Sequence, residues 1–478
     1  MVGVSAAAES LRPVRGRAVE WTRRHLGIVV IGALFAGLRI VSVLAVRITV
    51  YGDSASYFDL RFWRPFRLWT VPLVYSLGLS GDHLVTLQLI VGVVGWLSAA
   101  VLIARVYRSR TARAVGIGGI LVLGLTTEVS NFDSVLLSES IALSLTVVLI
   151  ALGLNVVCRP SGRLMWAFAI VAFLWAFSRQ SNVYVLWLAT IAAVLAALFH
   201  GRRRHYVVLA CVVAAVALAG TVVSSSNTAI QDWNIGQIIA RRIAPDATMR
   251  TWWRQQGMPA LPSGVPAASA RDTENAPDPL IDEQTGRLHK DKAFWRWLDD
   301  HGAPTYLRFV VTHPRYVFTT VFRERIVVDA FLDGAAFYGI RKQVLPSVVE
   351  DVVWPKTREA ALLVITTFAI VCFALIALTR RRAPDVTVPP TLKSALRYSG
   401  VLFAISIAAV FLVAHTAGAE FARLLLIPAV GARIAALIAI AALIDYASRL
   451  KTRDGSQDTT LFRHDTRRSR NASRTAAS

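Results

Sequence analysis

Cysteine, acidic residues and nucleotide-binding motifs are scarce or missing in this chain of 478 residues. It contains three cysteines, and the long polar segment of residues 224–360 contains none, so no disulfide crosslinks that segment. No Cys/His spacing typical of a metal centre occurs, and no GxGxxG or Walker motif occurs. Acidic residues number 30 against 52 Lys and Arg. These absences argue against disulfide-stabilised, metal-finger and nucleotide-binding proteins.

Apolar residues are plentiful instead. Hydrophobic residues make up 55% of the chain and the mean hydropathy is +0.52, values typical of a polytopic membrane protein. Ten apolar segments have about the length that an α-helix needs to cross a bilayer, although the third and fifth are short. They span residues 26–46, 83–104, 114–127, 136–157, 164–177, 183–199, 206–223, 360–379, 398–417 and 424–447. We therefore predict an all-α protein with about ten transmembrane helices.

The basic residues concentrate between alternate apolar segments. If both termini are cytoplasmic, 27 of the 52 Lys and Arg fall in cytoplasmic segments, whereas the loop 224–360 carries 17 basic and 16 acidic residues. This is the positive-inside pattern, and it argues against nucleic acid as the partner of the net charge of +22. Nearly all the basic residues are Arg, which is typical of a high-GC bacterial genome. The first apolar run is too long for a cleaved signal peptide. We expect a multi-pass protein of the bacterial inner membrane with both termini cytoplasmic.

This topology divides the chain into five regions. They are a basic cytoplasmic tail (1–25), an N-terminal transmembrane module of about seven helices (26–223), an extracytoplasmic loop domain (224–359), a C-terminal transmembrane module of about three helices (360–448) and a disordered cytoplasmic tail (449–478).

Acidic residues gather in the loops predicted to lie outside the membrane. Asp53 and Asp59 follow the first apolar segment, and Glu128, Asp133 and Glu139 precede or open the fourth. A carboxylate at the end of a membrane helix costs desolvation free energy unless water solvates it or it serves in binding or catalysis, so these acids are candidate functional groups. The alternatives are a solvated Gly-Asp-Ser turn for Asp53 and helix N-terminal acids, favoured by the helix dipole, for Asp133 and Glu139.

Arginines accompany these acids on the same side. Arg179 interrupts two apolar segments, where a fixed guanidinium suits a phosphate or, alternatively, snorkels to the interface. Glu420 and Arg423 lie together in the last outer turn. The pattern of residues 304–331 predicts one amphipathic helix on the outer membrane face.

Two further arginines, Arg39 and Arg433, lie within predicted spans. Arginines there face a cavity or pair with an acid, for which Glu139 and Asp445 are candidates. For Arg433 the alternative is that residues 418–432 are re-entrant and the last span begins later.

Four short motifs occur in a particular order. They are Gly52-Asp-Ser-x-x-Tyr57 after the first span, Gln88 in the second, Leu136-Leu-Ser-Glu-Ser140 opening the fourth, and Phe177-Ser-Arg-Gln180 before a later span. This order resembles that of bacterial GT-C membrane glycosyltransferases, the broad group related to protein mannosyltransferases and aminoarabinose transferases. The resemblance covers about residues 26–200. It implies a GT-C-like fold that moves a sugar from a polyprenyl-phosphate donor to a glycan, lipid or protein of the cell envelope, generally with inversion.

The resemblance also implies roles for individual residues. Asp53 would be the catalytic base, and Glu139 would act in the catalytic site with Asp133 or Glu128 helping to shape it. Arg179 would contact the lipid phosphate. The other residues assigned to substrate binding are Tyr57, Glu420 and Arg423.

The chain departs from the family pattern at its metal position. Asp53 is followed by Ser54 and Ala55 rather than by a second acid, and the next acid is Asp59. Asp59 is therefore a candidate ligand for a divalent cation such as Mg²⁺ or Mn²⁺ or, alternatively, a contact for the acceptor, and metal dependence stays open.

Two other functions remain as alternatives. Intramembrane arginines would also line the path of a transporter or flippase for a lipid-linked or anionic solute, although no internal repeat is visible. A non-catalytic scaffold for envelope assembly would use the long loop to bind partners, and its acids would be incidental.

Overall fold

The computed structural model describes residues 26–449, with gaps at 28, 45, 51, 64, 66, 200–202, 227–228, 261–280, 283–286, 289–291, 324–325, 333–341, 368–369, 371–388 and 418–422. Almost all secondary structure in this part is helical. The described strands are two residues each, with Ile281–Asp282 antiparallel to Arg287–Leu288. The helical content and the apolar helices confirm the general prediction of an all-α membrane protein.

Eleven of the described helices form the apolar bundle and its first loop. They are α1 (Val29–Leu44), α2 (Thr70–Tyr75), α3 (Gly81–Ala104), α4 (Arg110–Leu125), α5 (Thr127–Ser130), α6 (Glu139–Cys158), α7 (Gly162–Ala176), α8 (Gln180–Phe199), α9 (Arg203–Ser225), α18 (Pro390–Thr416) and α19 (Arg423–Arg449).

The segment between α9 and α18 contributes shorter helices. They are α10 (Ala229–Ile238), α11 (Ala247–Gln255), α12 (Lys292–Trp297), α13 (Ala303–Thr312), α14 (Pro314–Arg323), α15 (Ile326–Asp329), α16 (Ser347–Val353) and α17 (358–367). Aromatic residues of α11, α12 and α13 build a small core here, with Trp253, Phe294 and Phe309 fully buried.

Six described helices are long and apolar enough to cross a membrane: α3, α6, α8, α9, α18 and α19. A seventh crossing results if α4 and the helical turns of 127–134, which meet at a bend of 59°, count as one broken span. The predicted third and fifth spans correspond to this bent pair and to the 15-residue α7. The predicted eighth span begins as α17, and residues 371–388 lie outside the described part.

The bundle has two chemically different ends. At the loop end, α3, α6, α8 and α19 begin and α1, α4, α7, α9 and α18 end. The basic end is opposite and carries the Arg clusters 105–113 and 159–163. Helices α6 and α19 are the most buried of the six long helices.

The two predicted transmembrane modules pack into one bundle. Tyr107 donates to the Ile438 carbonyl of α19 at 2.9 Å, and Asp445 accepts from the backbone N–H groups of Arg108 and Ser109 at 2.9 and 2.6 Å. Helix α18 contacts α6 and α8. The C-terminal helices are therefore part of the same core as the N-terminal ones.

One prediction for this region was wrong, and one alternative that the sequence left open is decided for residues 423–432. Residues 304–331 form not one helix but α13, α14 and α15, because Pro314 cannot continue α13 and disfavours a helical conformation at His313. Residues 423–432 are not re-entrant, because α19 runs unbroken from Arg423 to Arg449.

Candidate functional site

The backbone between α4 and α6 lies inside the bundle rather than on its surface. Gln88, fully buried and seven residues into α3, donates from Nε2 to the carbonyls of Asp133 and Val135 at 3.1 Å each. Seven residues correspond to about 10 Å along a helix, so residues 126–138 are recessed by roughly that depth below the start of α3. The Tyr75 hydroxyl lies 3.1 Å from Gln88 Oε1 and from the Leu137 carbonyl. Burial raises the pKa of Tyr75, so this donor stays protonated.

The loop after α1 docks on this recessed segment. Thr49 forms a parallel bridge with Val135, in which Thr49 N donates to Ser134 O and Leu136 N donates to Thr49 O, both at 3.1 Å. The 3₁₀ turn Gly52–Tyr57 follows at once. Its last residue, Tyr57, is buried, and its hydroxyl donates to Ser138 Oγ at 3.2 Å. The turn that carries Asp53 is therefore linked to the residue that precedes Glu139.

Glu139, the first residue of α6, contacts two arginines that come from different elements. Its Oε1 lies 3.1 Å from Arg179 Nη1 and 3.4 Å from Arg423 Nε. Glu139 is 1% exposed, and both arginine side chains are 8% exposed. Among the described residues Oε1 accepts no hydrogen bond of good geometry, so these contacts are electrostatic rather than locked by aligned bonds. We call these three residues the Glu139 cluster.

Helix ends explain why this cluster is unusual. Glu139 opens α6, where a negative charge is favoured by the helix dipole. Arg179 directly precedes α8 and Arg423 opens α19, where the dipole disfavours a cation by roughly 0.3–1 kcal/mol each. The Glu139 carboxylate offsets part of this cost. A negative charge at Glu139 is attracted by both guanidinium groups and by the amino ends of α8 and α19.

Asp133 lies in a separate ion pair with Arg39 of α1. Arg39 Nε is 2.7 Å from Asp133 Oδ2, Nη2 is 3.2 Å from Oδ1, and Nη1 donates to the Gly124 carbonyl at 2.5 Å. Ser140 Oγ donates to Oδ1 at 2.6 Å, and both charged residues are at most 1% exposed. The partner of Arg39 is thus Asp133 rather than Glu139 or Asp445, the two acids that the sequence offered as candidates. Because both carboxylate oxygens are engaged, Asp133 holds the recessed segment to α1.

Glycines make room for this pair. A Cβ on Gly92 would lie 3.0 Å from Arg39 Nη2, and one on Gly124 would lie 2.7 Å from the Trp96 ring. The guanidinium carbon of Arg39 in turn lies 5.8 Å from the centre of that ring.

Glu128 lies near Arg433, whose positive charge it attracts. Arg433 donates to the backbone carbonyls of Val353 and Phe331 at 2.8 and 3.0 Å, and its guanidinium carbon sits 3.5 Å from the centre of the Trp354 ring. Arg433 therefore ties the long loop to α19 and is not a free charge within the span.

Glu350 of α16 is a buried acid that the sequence did not single out. Its Oε1 accepts from Thr127 N at 2.9 Å and from Thr127 Oγ1 at 2.8 Å, which caps the first turn of α5. Trp354 donates to Thr126 Oγ1 at 3.1 Å. In sequence Glu350 is indistinguishable from its neighbour Asp351, which forms an exposed pair with Lys356. Ser138 lies in the motif Leu136-Leu-Ser-Glu-Ser140, but its contact with Tyr57 was not predicted, because a serine before an acid carries no signal of its own.

The remaining candidates are placed as follows. Asp59 forms an exposed pair with Arg61 at 2.9 Å. The side chain of Asp53 and all of Glu420 lie outside the described residues. Within the described part of the chain, no group of three or more His, Cys, Asp and Glu residues is placed to hold a metal ion.

No protein-family model, curated protein or solved structure matches this chain. The roles of the site residues therefore depend on geometry. The Glu139 cluster lies beside the 3₁₀ turn, recessed from the loop end, with two guanidiniums at one carboxylate. Such an arrangement can hold an anionic group below the surface of the bundle.

Proposed function

We propose that this chain is an integral membrane glycosyltransferase that moves a sugar from a polyprenyl-phosphate donor to a cell-envelope acceptor at the loop end. The observation that carries the proposal is the Glu139 cluster. Two guanidiniums converge at one buried carboxylate, next to the turn that holds Asp53. Arginine binds phosphate with charge-assisted hydrogen bonds that are about twice as strong as neutral ones.

Each part of the cluster has a task in this reaction. Arg179 and Arg423 bind the donor phosphate, and Glu139 holds both guanidiniums in place when the donor is absent. Arg179 Nη1 makes no aligned hydrogen bond among the described residues, which allows this guanidinium to turn from Glu139 to the phosphate. Tyr57 and Ser138 position the turn of Asp53 relative to Glu139.

In the proposed transfer step, each of these residues has a defined role. Asp53 takes the proton of the acceptor hydroxyl while that oxygen forms a bond to the anomeric carbon of the sugar. The bond from the anomeric carbon to the phosphate oxygen breaks, and its electron pair leaves on the polyprenyl phosphate. Arg179 and Arg423 stabilise the negative charge that develops on this leaving group. Attack opposite to the leaving phosphate inverts the anomeric centre.

The transporter alternative rests on intramembrane arginines, and their contacts do not favour it. Arg39 is engaged by Asp133 and Gly124, and Arg433 by backbone carbonyls of the long loop. Both arginines are therefore engaged by protein groups that hold helices and the long loop together. We therefore carry forward only the transferase.

Replacing the base tests this function. In nanodiscs containing polyprenyl-phosphate monosaccharides, Asp53→Asn should lower sugar transfer by at least about 100-fold, the typical contribution of a general base. Asp82→Asn removes an exposed acid at the start of α3 and is the matched control, with transfer expected near the wild-type rate. The measurement is the release of polyprenyl phosphate over time, with folding checked by gel filtration. Equal transfer by both variants would reject Asp53 as the base.

A further inference from the structure

An apolar cavity of about 210 Å³ lies within the bundle, bounded by α6, α7, α8, α9, α18 and α19. Small residues of α8 leave the space: Ala189, Ala192, Ala193 and Ala196 recur at the spacing of one helix face. An empty apolar cavity of this size forfeits the van der Waals contacts that a hydrocarbon chain would make.

The cavity is long and is reachable from the lipid. Along α18 it extends from Arg397 to Ala409, twelve residues or about 18 Å, which is more than half of the ~30 Å hydrocarbon core. Val401 in its wall is 43% exposed, and Ala192 is half-buried. Helices α14 and α15 pack on the face of α18 that points away from the cavity. They therefore do not cover the face of α18 that lines it.

The cavity is basic at one end only. Arg397 lines it, is exposed, and lies near the basic end of the bundle, and Tyr206 near the start of α9 lines it as well. Lys393 is one turn earlier on α18. Arg179 and Arg423 do not line the cavity. The positive charge available to a ligand in the cavity is thus at the basic end of the bundle, opposite to the Glu139 cluster at the loop end.

We propose that this cavity is a binding site for an anionic phospholipid of the leaflet at the basic end. One acyl chain lies between α8 and α18, and the phosphate contacts Arg397. Basic pockets between transmembrane helices recognise anionic head groups, and the apolar slot supplies the contacts for the chain. The site is separate from the Glu139 cluster and does not depend on the transferase function.

Native mass spectrometry of the full-length protein tests the site. The protein is delipidated and then titrated with dioleoyl phosphatidylglycerol or with dioleoyl phosphatidylcholine. Wild type should retain one tightly bound lipid and prefer the anionic one. Arg397→Ala should lower that preference by about fivefold while a bound lipid remains. Ala192→Trp fills the cavity and should remove tight binding of both lipids.

The controls separate the cavity from the general lipid belt. Arg163→Ala removes an exposed charge at the same end, and Leu195→Trp adds a tryptophan on a face of α8 that does not line the cavity. Both should bind like wild type. If Arg397→Ala and Ala192→Trp also bind like wild type, or if the protein is a lipid-free dimer, the proposal is wrong. Because the readout is binding, this result is independent of sugar transfer.

Discussion

At the scale of single residues, two buried contacts between arginine and a carboxylate, Arg39–Asp133 and the Glu139 cluster, differ in their hydrogen bonding and therefore in their roles. The Arg39–Asp133 pair is buried, hydrogen-bonded on both carboxylate oxygens and satisfied by Gly124 and Ser140. In the Glu139 cluster the carboxylate oxygen that meets the arginines accepts no aligned hydrogen bond among the described residues. The first arrangement fixes a backbone segment, and the second is suited to exchanging partners with a ligand.

Breaking the buried pair should therefore affect stability. Arg39→Met leaves the Asp133 carboxylate buried and unpaired and should cost about 3–5 kcal/mol, seen as a lower thermal unfolding midpoint in detergent. Arg61→Met breaks the exposed pair with Asp59 and should cost about 0–1 kcal/mol. The double variant Arg39→Met/Asp133→Leu removes both charges and should recover part of the loss. An unchanged midpoint for Arg39→Met would contradict the structural role of the pair.

At the scale of elements, the break between α4 and α5 builds the recessed site. Thr126 is extended and ends α4, and the chain then turns by 59° before α6 begins. A bend inside an apolar bundle exposes backbone groups that need partners, and Glu350 and Gln88 supply them. Trp354 adds a hydrogen bond to the Thr126 side-chain hydroxyl. The long loop is thus part of the support of the recessed segment, although it is more than 200 residues away in sequence.

Removing the cap from α5 should loosen that segment. Hydrogen bonds to a charged group are worth about 1.5–3 kcal/mol, so Glu350→Ala should speed amide exchange around Thr127 by roughly tenfold or more. Asp351→Ala is the control, because that exposed neighbour pairs with the exposed Lys356 rather than with Thr127. Hydrogen–deuterium exchange of the peptide covering residues 126–135 is the measurement. Equal exchange in the two variants would show that Glu350 does not support α5.

At the scale of the whole molecule, the bundle separates two kinds of surface. Recessed acids and arginines lie at the loop end, and the Arg clusters lie at the basic end. The proposed transferase site and the proposed lipid site therefore belong to opposite leaflets. This arrangement requires the loop end to face away from the cytoplasm.

Cysteine labelling tests that orientation. In a variant without Cys158, Cys211 and Cys372, an introduced Asp82→Cys at the loop end should react with a membrane-impermeant maleimide in intact cells or spheroplasts. Arg163→Cys at the basic end should react only after permeabilisation. The reverse pattern would place the Glu139 cluster on the cytoplasmic side and exclude a donor presented outside.

The sequence predicted the helical membrane class and most helix positions, because spans of about 20 apolar residues must be helices in lipid. It also singled out Glu139, Arg179 and Arg423, since charges beside apolar segments stand out. It placed Glu139 and Arg179 in one proposed site. It did not predict that Glu139 contacts both Arg179 and Arg423, that Arg39 pairs with Asp133, or that Glu350 caps α5.

By itself, then, the sequence determined which residues carry charge and which segments are apolar and long enough to cross a bilayer, because both follow from local composition. Only the tertiary structure decided which charges meet. The Glu139 cluster joins α6, the α7–α8 turn and α19, which lie about 40 and 280 residues apart in the chain. Ion pairing acts through space over a few ångströms, so no local pattern specifies which carboxylate an arginine contacts.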